Sequence, residues 1–222
     1  MDPCHAGGDL AGAGHTLHVL RMAQRKPRIK VAKAAPAAVD WLGGELLVAM
    51  PGMTDPRFAQ AVICLCSHSP EGAMGIVLNR PLEGMSFDVL LRQLGLAPVP
   101  PARRIRVLEG GPVEGGRGFV LHSDDWSTEG SLPVRGELAL TANVEVLKAI
   151  AEGGGPRVGV LALGYTGWAP GQLDEEIQRN AWLSVPADEA LLFEAAPERL
   201  WRKALAKLRI DPSMLSDVSG RA

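Results

Sequence analysis

The sequence predicts an α+β domain built on a coiled, mostly antiparallel β-sheet. Three observations carry that prediction. Short apolar runs follow one another with only turn residues between them, which is the pattern of neighbouring strands. Helical periodicity is confined to four irregularly placed segments, so no βαβαβ alternation exists. The chain also holds 26 Gly and 17 Pro in 222 residues, with aromatics at 5% and a single Tyr, which implies many turns around an aliphatic core. No internal repeat is visible.

The first strand is expected at 46–50, Leu-Leu-Val-Ala-Met, stopped by Pro51-Gly52. A second is expected at 62–68 and a third at 75–80, with Pro81 ending it and Ser69-Pro70-Glu71-Gly72-Ala73-Met74 supplying hairpin chemistry between them. Residues 105–108 and 118–122 flank a Gly-Gly-Pro turn and read as another hairpin pair. Further strands are expected at 137–141, 158–163 and 182–185. Ser86 is placed to cap a helix whose apolar face is Phe87, Leu90, Leu91 and Leu94. Thr141 or Asn143 is placed to cap a second, showing Val144, Leu147, Ile150 and Ala151 and ended by Gly153-Gly154-Gly155. Pro170 suits the first turn of a third, carrying Leu173 and Ile177. Leu200, Trp201, Ala204, Leu205 and Leu208 recur at helical spacing in a fourth.

The folded part is expected from 41 to 222, after a disordered basic extension at 1–40. The net charge of −2 averages these two unlike parts. Residues 1–33 carry Arg21, Arg25, Lys26, Arg28, Lys30 and Lys33 against Asp2 and Asp9, a balance of +4, which leaves −6 on residues 34–222. A domain at −6 lacks the clustered Lys and Arg that displace phosphate counterions, so residues 41–222 are not expected to bind nucleic acid directly. No apolar run is long enough to span a bilayer, and no membrane association is expected. The first 21 residues contain no unbroken apolar stretch of the signal-peptide kind, and Met22 is an alternative start. Three cysteines, Cys4, Cys64 and Cys66, form no disulfide framework, so a cytoplasmic location follows.

Several constellations offer chemistry. Strand alternation puts Val62, Cys64, Cys66 and His68 on one face, where the imidazole would lower the thiol pKa of Cys66; buried, structural cysteine is the bland alternative. Two soft thiol ligands and an imidazole are one short of the four that structural zinc takes, and no metal is expected. Glu109-Gly110-Gly111-Pro112-Val113 with Arg117 is a glycine loop able to cradle a phosphate, or simply a tight turn. It lacks the Lys-Ser/Thr of a P-loop, and a strand rather than a helix follows it. Residues 164–176 form a strand–loop–helix junction that brings the only Tyr, Tyr165, near Trp168 and Gln172, a candidate ligand platform. Asp174, Glu175 and Glu176 already occupy the positive end of the helix dipole there. Glu175 and Glu176 point about 100° apart on a helix, poor geometry for an acid–base pair. Neither G-x-S-x-G nor H-E-x-x-H occurs. A hydrolase would need His122 or Glu175 in a cleft with a nucleophile.

The segments 47–58, 71–81, 110–113, 117–122, 162–168, 171–177, 180–183 and 186–188 resemble the YqgE/AlgH family, in order over about residues 43–222. The resemblance implies a single domain of coiled, branching β-sheets with peripheral helices, in a bacterial cytosolic protein to which the label transcriptional regulator is often attached. It brings no established enzymatic activity and no cofactor to carry over, so none is expected. Cys66 and His68 match a Cys-x-His that recurs in the family's second strand, while Cys64 stands where an ordinary strand residue is usual. Members usually finish Gly-His-Ala, whereas this chain ends Gly220-Arg221-Ala222. The 1–40 extension is also longer than usual.

The expectation is therefore a regulatory or binding protein without enzymatic activity, an indirect regulator of transcription, meeting an unidentified protein or small-molecule ligand. Its surface is expected at Glu71, Gly110, Gly111, Arg117, Tyr165, Trp168 and Gln172, because functional groups concentrate on loops held by rigid scaffolds. The alternative is a thiol-based redox sensor centred on Cys66 with His68.

Overall fold

The computed structural model describes residues 42–97 and 105–211. The basic extension at 1–40, Trp41 and the C-terminal Gly-Arg-Ala lie outside the described residues.

Among the described residues the aliphatic runs form nine strands: β1 (Glu45–Ala49), β2 (Val62–Ser69), β3 (Gly72–Val77), β4 (Arg106–Glu109), β5 (Val113–Ser123), β6 (Leu132–Val134), β7 (Leu138–Thr141), β8 (Gly159–Trp168) and β9 (Trp182–Pro186). They join in the order β6-β7-β5-β8-β3-β2-β1-β9, with β4 attached to β8 off that path. All pairings are antiparallel except β4 with β8. The fold is thus the α+β domain with a curled sheet that the sequence predicts.

β8 is the branch point. Its first half, Val160 to Leu163, lies between β4 on one side and β5 on the other. Its last residues, Thr166 to Trp168, pair instead with β3. Gly164, at φ +75°, is where the partners change. The expected hairpin between 105–108 and 118–122 is therefore corrected: β4 and β5 pair with β8, not with each other. The Gly-Gly-Pro link straddles β8, and the strands it joins end up on opposite edges of it.

Among the described residues, four α-helices pack on the outside: α1 (Phe87–Gln93), α2 (Glu145–Ala151), α3 (Gln172–Gln178) and α4 (Pro197–Lys207). Ser86 caps α1 as expected, its Oγ accepting from the Val89 amide at 3.3 Å. Neither Thr141 nor Asn143 caps α2: its N-cap is Val144, without a side-chain cap bond, and Asn143 Oδ1 accepts from Glu145 N at 3.1 Å in the turn that leads into it. Pro170 falls just before α3, whose N-cap is Gly171. A π-helical turn, Ala190–Glu194, was not expected; the half-buried Arg106 guanidinium ties it to β4, donating to Leu192 O at 2.8 Å and Ala195 O at 2.9 Å.

The apolar residues sort into three layers. The central one takes one face of the sheet, including Leu46, Cys64, Ile76, Phe119, Leu121 and Ala162, with α4 laid on it through Leu200, Trp201, Ala204 and Leu205. Trp201 Nε1 also donates to Ala49 O at 2.8 Å. α1 and α2 cover Val120 and Leu161 on the other face. α3 and the 53–58 loop cover Leu47, Ile63, Leu65 and Val77, again on that other face but around β1–β3.

Candidate functional site

The loops expected to carry function meet at the branch. Gly110 bridges two strands, its amide donating to Leu163 O at 2.8 Å and its carbonyl accepting from Val77 N at 2.9 Å. A Cβ on Gly110 would lie 2.4 Å from Gly164 O, one on Gly111 2.3 Å from Tyr165 C and O, and one on Gly164 2.4 Å from Gly111 O. Two stretches of backbone cross in contact here, and only residues without side chains fit. The glycines serve this crossing, which supports the tight-turn reading of the loop over the phosphate cradle.

Beyond the crossing, β5 bulges between Val113, opposite Tyr165, and Gly118, opposite Leu163. Glu114, in the left-handed region at φ +49°, and Arg117 close this bulge with an ion pair of 3.1 Å. The Arg117 guanidinium lies 5.0 Å over the Phe119 ring. Phe119 meets the Tyr165 ring edge-to-face at 5.7 Å. Tyr165 Cε2 lies 3.4 Å from where a Gly167 Cβ would be, so the ring fills the space that glycine leaves. The phenol is half-buried and none of the described residues hydrogen-bonds its hydroxyl. Burial raises its pKa, Glu114 adds to that, and Arg117 opposes it.

Tyr165 and Trp168 do not form a joint platform. An odd separation along β8 sends them to opposite faces, Tyr165 to the central layer and Trp168 to the α3 layer. There Trp168 Nε1 donates to Glu176 Oε2 at 2.9 Å and Trp182 Nε1 donates to the same oxygen at 2.8 Å. Gln172 donates to Glu176 Oε1 at 2.9 Å and accepts from Ala169 N at 3.0 Å. The two indoles pack edge-to-face at 6.1 Å, and Phe58 meets Trp182 at 5.8 Å. One carboxylate thus fastens the ends of β8 and β9 to α3. Glu71 sits exposed at the β2–β3 turn, where the Ser69 hydroxyl donates to it at 2.7 Å and lowers its pKa.

Cys66 and His68 are also separated, which corrects the shared face. The β2–β3 register shifts between Leu65 and Ser67, leaving Cys66 as an extra residue. A one-residue bulge inverts alternation beyond it. Cys66 consequently joins the central layer with Cys64, whereas His68 pairs with Ala73 on the α3 side. The thiol is 7% exposed and donates to Cys64 O at 3.6 Å. The buried His68 Nε2 lies 3.5 Å from Asp174 Oδ1.

The two hydrolase candidates are far from any shared chemistry. His122 is completely buried on β5, with Nδ1 2.7 Å from Ser123 O and Nε2 2.9 Å from Thr141 Oγ1. Glu175 is exposed on α3 and paired with Arg179 at 3.2 Å. Among the described residues no three His, Cys, Asp or Glu are grouped to hold a metal ion, and no helix is long and apolar enough to cross a membrane.

Sequence reasoning missed the roles of Glu176, Asn79 and Arg80. Asn79 accepts from Val62 N at 2.9 Å and donates to Gln60 O at 2.8 Å, while Arg80 Nη2 donates to Pro56 O and Ala59 O at 3.3 Å. The pair clamps the exposed 51–60 loop onto β2. The available signal was two polar residues directly after an apolar strand and before Pro81.

The family model described as AlgH-like matches residues 46–213. A UPF0301 protein of Rhodospirillum rubrum is 54% identical over 182 residues, covering 82% of this chain and 95% of that one. A UPF0301 protein of Afipia carboxidovorans is 50% identical, covering 86% and 94%. The solution structure of the AlgH protein from Pseudomonas aeruginosa superposes with a TM-score of 0.65 at 43% identity, over 85% of this chain and 100% of that one. A crystal structure from Corynebacterium diphtheriae, at 21% identity and a TM-score of 0.58, shares the fold. With its branched sheet, its glycine crossing and these matches over most of its length, the chain belongs to the AlgH-like family.

Proposed function

We propose that this protein is a cytosolic binding protein that regulates by occupancy rather than turnover, and that its ligand or partner meets the Tyr165–Arg117 side of the branch. The observation that carries this reading is the half-buried phenol of Tyr165, its hydroxyl unengaged among the described residues, beside an Arg117–Glu114 pair on a bulge. An apolar body with a polar tip, flanked by charge of both signs, is the usual make-up of a recognition surface. Glu71 lies on the neighbouring turn, while Trp168 and Gln172 support the surface from behind through Glu176. Cys64 and Cys66 are buried and not joined in a disulfide, which suits a reducing compartment.

The test is a ligand screen on the full chain read by amide NMR. Binders are expected to perturb Glu114, Arg117, Tyr165 and Gly167, and to be lost in Tyr165→Phe or Arg117→Ala. Binders that map elsewhere, or that ignore both substitutions, overturn the reading.

Any effect on transcription then runs through that partner, since the charge of −6 on residues 34–222 opposes a phosphate backbone. DNA affinity of the full chain is expected to vanish when the six basic residues at 21–33 are replaced. The thiol-sensor alternative has weaker support, because the bulge takes His68 off the face that holds Cys66.

A further inference from the structure

Arg117 is a cation fixed in place and only partly used. The β5–β8 register leaves residues 114–117 opposite Gly164 alone, between Val113 on Tyr165 and Gly118 on Leu163. The excursion lies close against β8, since a Cβ on Gly164 would be 3.2 Å from Gly115 Cα. At its end the Arg117 guanidinium sits 5.0 Å over the ring of Phe119, which is completely buried. That stack holds the charge whether or not an anion faces it.

A guanidinium offers five N–H donors in a fixed fork, suited to two parallel bonds with one carboxylate. Among the described residues a single bond uses that fork, from Nη1 to Glu114 Oε2 at 3.1 Å. The Tyr165 hydroxyl is a further donor, and no described residue accepts from it. Arg117 and Glu114 are the two charges that act on this phenol, so the three groups share one site.

The ion pair is lopsided. The Arg117 side chain is 20% exposed and stacked, while that of Glu114 is 51% exposed and held by one bond. Glu114 also keeps its backbone at φ +49°, where an L-residue is strained. Glu114 can therefore be exchanged for another acceptor while Arg117 stays where it is.

We propose that the ligand met at this site carries a free carboxylate, which takes the Arg117 fork with both oxygens and displaces Glu114, a built-in competitor that sets the affinity. This deepens the binding reading above and rests on it. One cation matches one negative charge. A phosphate dianion would bring two beside the displaced Glu114, with Arg117 alone to meet them. The half-buried Tyr165 ring gives the body of such an acid an apolar surface to lie on.

The test titrates the full chain with benzoate, with its neutral isostere benzamide and with inorganic phosphate, following the amides of residues 114–118, Tyr165 and Gly167 by NMR. Benzoate is expected to shift them in a saturable way in the millimolar range, and benzamide to bind about tenfold more weakly or not at all. Glu114→Gln is expected to tighten benzoate about two- to fivefold, the worth of an exposed ion pair. Arg117→Lys keeps the charge but not the fork, and is expected to weaken benzoate about tenfold. Acetyl-Gly-Phe with a free terminal carboxylate separates the two sources: tighter binding than benzoate assigns the site to a chain end, weaker binding to a small acid. Benzoate that does not saturate these amides, an affinity that Glu114→Gln leaves unchanged, or phosphate that binds more tightly than benzoate overturns the proposal. Benzamide that binds there as tightly as benzoate overturns the carboxylate while leaving the binding reading intact. Screened binders that all map to another face remove both.

Discussion

Replacing Gly164 by Ala tests the backbone crossing that organises the sheet. Two costs add. The left-handed φ of +75° costs an L-residue about 1–2 kcal/mol. The new Cβ would sit 2.4 Å from Gly111 O, 2.9 Å from Val113 O and 3.2 Å from Gly115 Cα, all backbone atoms that cannot rotate away. Restoring contact distance moves the 111–115 strand by most of an ångström. That strand segment adjoins Gly110, which is held by bonds of 2.8 Å to Leu163 O and 2.9 Å from Val77 N. Weakening those two bonds adds about 1–3 kcal/mol. The sum is about 2–5 kcal/mol, a large share of the stability of an ordinary domain. Gly153→Ala is the matched control: its φ is +83°, and a Cβ there meets nothing within 4 Å. It should lose only the first amount. Urea unfolding followed by tryptophan fluorescence reads the difference, which should separate the two midpoints by about 1 M for a domain of this size. Midpoints that coincide within about 0.3 M would refute the contact part of the reasoning.

Three further outcomes follow from the structure. Glu176→Ala leaves the buried indole donors of Trp168 and Trp182 without their acceptor and is expected to destabilise the fold by about 2–4 kcal/mol, with a loss below about 1 kcal/mol in the same urea assay counting against the fastening role. Cys66, 7% exposed, is expected to react with a thiol reagent only as fast as local opening allows, and prompt stoichiometric labelling of the native chain would revive the sensor reading. Asp125 has its pKa lowered, first by the Ser123 hydroxyl; its contribution is present above the ordinary 3.8 and is lost as pH falls through the lower folded value, so Asp125→Asn should flatten the acid limb of a stability–pH curve below about pH 4 and leave the neutral region parallel.

What could be read from the sequence was mostly local. Ser86 with Phe87, Leu90 and Leu91 states its helix within one turn of chain, and the structure places cap and face as read. The run Val62 to Ser69 states a strand equally well, but its unbroken alternation conceals the bulge at Cys66, because nothing in a period of two marks an extra residue. Gly-Gly-Pro between two apolar runs was correctly seen as a turn, yet the pairing it implied was wrong. The strand that separates β4 from β5 arrives some forty residues later, and no local signal announces it. Glu176 was set aside as half of a poor acid pair; its partners Trp168 and Trp182 come together only when β8 and β9 end beside α3. Arg117 and Tyr165 were both named as surface residues from their loops, and their closeness through Phe119 needed the fold.

The branch at β8 also dictates an order of events during synthesis. β4 and β5 leave the ribosome well before β8, and they have no ladder with each other. Until Gly159 to Leu163 emerges, β4 has only its antiparallel bridge from Leu108 to Pro81, and the Gly110–Gly111 link lacks the strand it straddles. Folding therefore finishes by insertion: β8 enters between two strands already made and slides beneath the link that joins them. Such a step closes long loops late and is slow by nature. A nascent chain stalled before β8 holds an open, strand-edged cleft, and it is there, rather than in the finished molecule, that this fold most exposes itself to aggregation and to chaperones.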